Sequence, residues 1–270
     1  MPSTPAYPPQ KDIFTKLRKT ALFWGYETHE KNLSDWKQVP RIGKKELRLR
    51  ALAHSVNARY LYLPSDFLPG EDTFLMPVAR KELRSVKETL RSFAPKVAIF
   101  MLPFHRLSLG PQCYLAARVC DIPMTYAPAI NLPVAAEMTR QLKPEGLIVM
   151  SADAKRIDSF FYENGVGESI LFWHVIVPLG DSFLFKPERG VICRDLQAFP
   201  GVSLGLQCPE LGKKINEYHP SEDYYWEEDG GMVLATGIKP GPIPLLRFEV
   251  GPGKLKKDIC SCGKNFRIVL

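Results

Sequence analysis

No apolar run in this chain of 270 residues reaches the roughly 20 needed to cross a bilayer, so no membrane-spanning helix is expected. The opening MPSTPAYPPQKDIF has no apolar h-region, which argues against a secretory signal and for a cytoplasmic protein. Its four prolines within the first ten residues read as an extended, flexible tail over 1–10. Cysteine is sparse. Six in a chain this long do not make a disulfide scaffold, and burial, metal binding or catalysis are their alternatives. Glycine is nearly missing from the first part, with only Gly25, Gly43 and Gly70, all isolated, in residues 1–109. There is no internal repeat, and no low-complexity tract beyond the tail.

What is present is enough to bury one large core or two smaller ones, since 45% of the residues are hydrophobic and 11% aromatic. The net charge of +7 is uneven: +6 over residues 1–50, −3 over 51–253 and +4 over 254–270. Basicity confined to two ends reads as solvated surface, with weak attraction for polyanions as the alternative. Aromatic residues are not interleaved with the basic runs, so nucleic acid is not an expected partner.

The segment KDIFTKLRKTALFWGYETHEKN has helical spacing at Ile13, Leu17, Ala21 and Trp24. After a second helix, strand-like NARYLYLP leads into a clear alternation. ARKELRSVKETLRSF is helical, with Leu83, Val86, Leu90 and Phe93 on one face. KVAIFML is a strand, GPQCYLAARVCDI a helix, PMTYAP a strand, NLPVAAEMTRQLKPE a helix and GLIVMS a strand. Ser151 is a candidate cap for the helix SADAKRIDSFFYENG, and SILFWHVIVPLG is a strand. This predicts an α/β class with a mostly parallel core over 11–185. From 186 to 270 short apolar runs broken by Gly, Pro and acidic residues predict a β-rich subdomain.

One constellation carries chemistry. Cys208 and His219, with ten residues between them, precede the terminal Cys260-Ser-Cys262, and three thiolates with one imidazole suit a closed tetrahedral zinc site. Residues i and i+2 of a strand face one way, so Cys260 and Cys262 could address one ion, with Gly263 letting backbone N–H groups approach. The competing reading is a buried Cys208 with two free terminal thiols. Cys113 and Cys120 share a helical face and read as core, as does Cys193. His29, His54, His105 and His174 have no ligand spacing.

The segment GMVLATGIKPGPIPLLRFEVGPG followed by CSCG resembles phenylacetate–coenzyme A ligases and related adenylate-forming, AMP-binding enzymes. Gly231–Thr236 and Pro244–Phe248 match a run of the type GELVVTTL…PLIRYRTGD, which C-P-C-G-R follows. Upstream, Pro200-Gly-Val-Ser203, Cys208-Pro-Glu210, His219, Glu222-Asp-Tyr224 and Glu227 resemble that family's PGVA…EC…LHI…EDHF. DWKQVPRIGKKELR resembles its LP-x-ITK-x-DLR. The match is specific over 200–263. It implies a large domain like that of the ligases, a structural zinc clasp at Cys208, His219, Cys260 and Cys262, and an acyl cleft near 174–181 with His174, Gly180 and Asp181. Asp195 and Arg247 are the residues it leaves for a nucleotide.

The departures matter as much. Such ligases attack the α-phosphate of ATP with a carboxylate, then pass the acyl group to a thiol. Their S-S-G-T-T-G phosphate loop has no counterpart in the glycine-poor stretch here. The ribose-binding Asp of RYRTGD is Pro252, which has no acceptor oxygens on its side chain, and the second Arg is Glu249. The C-terminal ligase domain with its lysine is expected to be absent. ATP and AMP are thus poorly provided for. The expectation is a degenerate adenylation domain, a pseudoenzyme that binds a small carboxylic acid, an acyl ligand or a partner chain. The alternative is an ATP-dependent carboxylate–CoA ligase, active as half of a split enzyme, whose partner supplies the missing parts.

Overall fold

The computed structural model describes residues 13–26, 36–53, 60–64, 75–79, 84–102, 109–199, 202–207, 216–239 and 242–270. The chain forms two compact units, one of Leu63–Thr73 with Arg80–Ile215, the other of Met1–Tyr62, Phe74–Ala79 and Asn216–Leu270.

The first unit is a sheet with helices on both faces. Strands β3 (Ala98–Met101), β4 (Met124–Tyr126), β5 (Gly146–Met150), β6 (Phe172–Pro178) and β7 (Val191–Phe199) run parallel in the order β7-β6-β5-β3-β4. Strand β8 (Val202–Leu206) pairs antiparallel with β7. All residues of AIFM, GLIVM and FWHVIVP are buried, the continuous apolar reading of strands covered on both faces. Alternation divides them between two cores. Ile99, Leu147, Val149 and Val175 face α5 (Leu132–Leu142) and α6 (Ser151–Glu163), meeting Ala135, Ile157 and Phe161. Ala98, Phe100, Ile148 and Ile176 face α3 (Arg84–Phe93) and α4 (Leu109–Val119), meeting Val86, Leu90 and Cys113. Leu83 lies outside the described residues.

Two local expectations change. Ser151 does not cap α6. The helix begins at Ser151 itself behind Met150, and the serine hydroxyl goes to the Asp181 carboxylate instead. The change of texture at residue 185 does not coincide with the border between units, because β7 extends the parallel sheet by full pairing with β6 from Phe172↔Val191 to Pro178↔Gln197.

In the other unit, α1 (Ile13–Phe23) buries Leu17 and Ala21, and α2 (Lys44–Ala53) buries Leu47 and Ala51. The first helix stops short of its sequence pattern, since Gly25 turns the chain at φ +83°. Strands β1 (Tyr60–Pro64) and β2 (Leu75–Ala79) form a two-stranded ribbon. β10 (Tyr224–Asp229), β11 (Met232–Gly237) and β12 (Phe248–Pro252) form an antiparallel meander, while β9 (Glu217–Pro220), β13 (Lys254–Lys256) and β14 (Arg267–Val269) pair in the order β13-β14-β9. Among the described residues no helix is long and apolar enough to cross a membrane.

Gly180 and Gly190 separate two costs of a side chain. Both have left-handed φ, +89° and +82°, but a Cβ at Gly180 meets nothing within 4 Å, whereas one at Gly190 meets the Leu171 carbonyl oxygen at 2.8 Å. Gly180→Ala should cost about 1–2 kcal/mol in urea unfolding, and Gly190→Ala clearly more.

Candidate functional site

The three described members of the cysteine–histidine set come together. Ligand atoms of His219, Cys260 and Cys262 lie within 4.8 Å of one another. Strand β9 carries His219, whose Nδ1–H donates to the Phe266 carbonyl at 3.1 Å. That fixes the tautomer and turns the Nε2 lone pair toward Cys262 Sγ, 3.2 Å away. Burial holds the His219 imidazole below its ordinary pKa, with the Lys264 and Arg267 charges adding to the effect. The ring is therefore neutral and free to ligate. Cys260 and Cys262 flank a tight turn closed by Gly263 N–H to Cys260 O at 2.8 Å and Cys260 N–H to Lys264 O at 2.8 Å, with Gly263 at φ +83°. Donors 2.0–2.3 Å from a tetrahedral zinc ion stand about 3.5–3.8 Å apart, which this donor set can meet with small adjustments. Cys208 lies outside the described residues.

Arg247 is placed as a structural centre. It is 2% exposed, and its φ of +41° sets it at a sharp turn before β12. Its Nε–H donates to Glu227 Oε1 at 2.9 Å, its Nη1 to Lys37 O and Val39 O at 2.8 and 2.7 Å, and its Nη2 to Asp229 Oδ2 at 2.8 Å. Nη2 also lies 2.8 Å from Glu227 Oε1. Glu227 and Asp229, at i and i+2 on β10, share one face. Trp36 donates to the other Glu227 oxygen at 2.6 Å, and Arg41 reaches both Asp229 and Glu249. Burial pushes the Glu227 carboxyl up against the pull of Arg247, while the Arg41 hydrogen bond holds that of Asp229 down.

Asp195, the other residue proposed for a nucleotide, is fully enclosed. Ser85 and Gln197 donate to its Oδ2 at 2.7 Å each, Ser203 donates to Oδ1 at 2.6 Å, and His174 Nε2–H approaches Oδ2 at 3.3 Å. Burial alone would raise this carboxyl, but the His174 ring, Ser203 and Gln197 outweigh it and hold it below the usual range. His174 is itself completely buried, and its Nδ1 has no partner among the described residues. Cys113 belongs to the same interior, its thiol pushed up to about 12 by burial and the Asp195 charge.

The structure thus divides the acyl-cleft set. His174 sits within the core beside Asp195, while Gly180 and Asp181 lie past the C-terminal end of β6, where Ser151 meets Asp181. The site residues to which the sequence reading gave no role are the partners: Glu227, Asp229 and Arg41 around Arg247, and Ser85, Gln197 and Ser203 around Asp195. The family resemblance gave a signal for Glu227 and Ser203, and the i, i+2 spacing from Glu227 gave one for Asp229.

The fold is similar to that of an acyl-CoA ligase. Structures of 2-hydroxyisobutyryl-CoA ligase are similar to the chain at 12–13% identity. Its open conformation with 2-HIB-AMP and CoA aligns with TM-score 0.63 over 94% of this chain and 68% of that one. Its thioesterification state with the same ligands aligns with TM-score 0.61 over 99% and 68%. Its postadenylation state with 2-HIB-AMP aligns with TM-score 0.62 over 99% and 67%. The chain spans about two thirds of that enzyme's length. No protein-family model and no curated protein sequence matches it.

Two substitutions test this geometry. Arg247→Ala leaves the buried Glu227 without a cationic partner and Asp229 with Arg41 alone, and should cost about 3–5 kcal/mol in chemical denaturation; Arg247→Lys, lacking the planar fork, should recover less than half. Asp195 has its folded pKa depressed, so its contribution exists above the unfolded carboxylate pKa and fades as pH falls through the folded value. Asp195→Asn should therefore be destabilised at pH 7, with the gap to wild type narrowing below about pH 4.

Proposed function

We propose that the chain is a phenylacetate–CoA-ligase-like adenylation domain that no longer forms acyl-adenylate by itself and serves as a binding module for a small acyl ligand or a partner chain. The observation that carries this is the occupation of Arg247. Every N–H of its guanidinium is used within the protein, so none is left for a nucleotide. Its neighbours support the same reading: Glu249 is an acid paired to Arg41, and Pro252 is a residue of β12 in register with Met232. Asp195 likewise spends both oxygens on internal donors.

The ligand would sit at the carboxyl ends of the parallel strands, where open α/β sheets bind small molecules. Gly180, with nothing near its Cα, leaves the turn after β6 open, and Asp181 with Ser151 supplies the polar groups. In the other unit, His219, Cys260 and Cys262 would hold zinc, with Cys208 as the fourth ligand. The ion would act structurally, closing the turn at 260–263 against β9. The layout would be an α/β core and a β-rich region with the metal clasp; the tail expected over 1–10 lies outside the described residues.

An ATP–pyrophosphate exchange assay on the purified chain, scanned over aryl and fatty acids, should show no turnover above buffer, and turnover would overturn the proposal. Exchange that arises only when a companion chain from the native source is added would instead establish the split-ligase alternative. The metal is tested separately. The purified protein should contain about one zinc per chain, lost in Cys262→Ser and His219→Ala, and chelation should lower Tm by about 5 °C or more. A metal-free protein of unchanged Tm would exclude the clasp.

A further inference from the structure

At the end of the sheet where the parallel strands begin, the C-terminal turn of α6, the turn at 165–169 and the start of β6 enclose a cavity of about 80 Å³. Phe161, Tyr162 and Trp173 line it, together with Asp158, Glu168 and Glu188. Asp158 is the decisive group. It is only 9% exposed, and its Oδ2 accepts the Glu188 N–H at 3.1 Å. Its Oδ1 has no hydrogen-bond partner among the described residues. Burial, and then the Glu188 charge, pushes this carboxyl up, as expected of an anion whose charge is not met.

Nothing nearby meets that charge. Arg189, at the mouth, lies 3.8 Å from Glu168, with both side chains largely exposed. Helix α6 adds charge of the same sign, because its 13 residues end at Glu163 with no basic residue in the last turn. Its last carbonyls accept from the backbone N–H groups of Asn164, Gly165 and Val166 and from the Asn164 side chain, so what remains is the partial negative charge of the dipole, which no basic residue of that turn offsets. Three carboxylates and a helix C-terminus against one exposed guanidinium leave the cavity short of a cation, and its apolar walls suit the stem that would carry one.

We propose that this cavity binds a primary alkylammonium group, the ammonium against Asp158 Oδ1 and the stem along Phe161 and Trp173. The cavity, open to solvent on one side, has room for several water-sized groups, enough for the ammonium head and its first methylenes. This site lies at the opposite end of the strands from the ligand edge described above and does not depend on it.

The test is a titration of the whole chain followed by two-dimensional amide spectra. The Trp173 indole N–H, bonded to Arg189 O at 3.2 Å, and the Gly165 and Gly167 amides serve as reporters. The probes are n-butylammonium and Nα-acetyl-lysine N-methylamide, with 1-butanol and butyrate as controls. Saturable shifts with an ammonium probe alone are expected, weakened about tenfold in Asp158→Asn and tightened about twofold to fivefold in Arg189→Ala, which removes a competing charge. Tighter binding of the blocked lysine would identify a peptide lysine as the natural source, and tighter binding of butylammonium a free amine. Absence of saturable shifts, equal shifts with butanol or butyrate, or unchanged affinity in Asp158→Asn would overturn the proposal. Should Asp158→Asn fail to fold, Glu188→Gln takes its place with an expected loss of about twofold to fivefold, and no loss would overturn it. Neither result bears on the exchange or zinc assays.

Discussion

A guanidinium that is 2% exposed must be met by enough opposite charge and enough acceptors to offset its lost hydration, and the unit holding Arg247 is arranged around that requirement. Two carboxylates two residues apart on β10 face it, and the carbonyls of Lys37 and Val39 take the remaining donors. The N-terminal segment is thereby bound to residues some 200 positions later in the chain. The network continues outward through Trp36 on Glu227 and Arg41 on Asp229 and Glu249, so that cationic and anionic groups alternate from the interior to the surface. Removing Arg247 leaves the buried Glu227 without a cation, and removing Glu227 leaves Arg247 with Asp229 as its one carboxylate. This interdependence makes Arg247 architectural, because a group on which three segments converge cannot swing toward a ligand without abandoning them.

Asp195 solves the reverse problem by different means. Among the described residues no lysine or arginine is paired with it. Two hydroxyls, an amide and an imidazole N–H gather on its oxygens, and these outweigh burial. The donors come from α3, β6, β7 and β8, so one carboxylate fixes the register of three strands against a helix. A polar centre of this kind is weak as a source of stability but strict about geometry, since an apolar core would tolerate sliding that hydrogen bonds do not.

The β-α alternation from residue 84 to 178 was legible in the sequence because strands covered on both faces must be almost wholly apolar, as AIFM and GLIVM are throughout and FWHVIVP is but for His174. Strand β7 was less so. Its ICRDLQAF carries three polar residues, and nothing in spacing reveals that Asp195 and Gln197 satisfy one another within the core. The terminal C-S-C pair and His219 were legible because few residue types ligate metals. The partners of Arg247 were not, since hydrogen bonds to carbonyls of Lys37 and Val39 leave no trace in residue identity. His174 illustrates the limit from the other side. The family resemblance put it in a cleft with Gly180 and Asp181, yet the side-chain alternation of β6 turns it inward, where it meets Asp195.

The two ends of a parallel sheet are not electrostatically equivalent, and this protein shows the difference in one unit. Helices that follow strands present their N-termini at the carboxyl ends of those strands, where unpaired N–H groups favour anions and acyl oxygens. Their C-termini collect at the opposite end, where unpaired carbonyls favour cations. Helix α6 begins directly after β5 at Ser151 and ends at Glu163 near the start of β6, so it spans this gradient from one end of the sheet to the other. Most proteins neutralise the C-terminal end with a lysine or arginine in the last turn. Here that turn has none, and a buried carboxylate with an unspent oxygen stands beside it. The same unit thus favours anions at one edge of its sheet and holds, at the other, a buried carboxylate with no basic residue in the neighbouring helix turn.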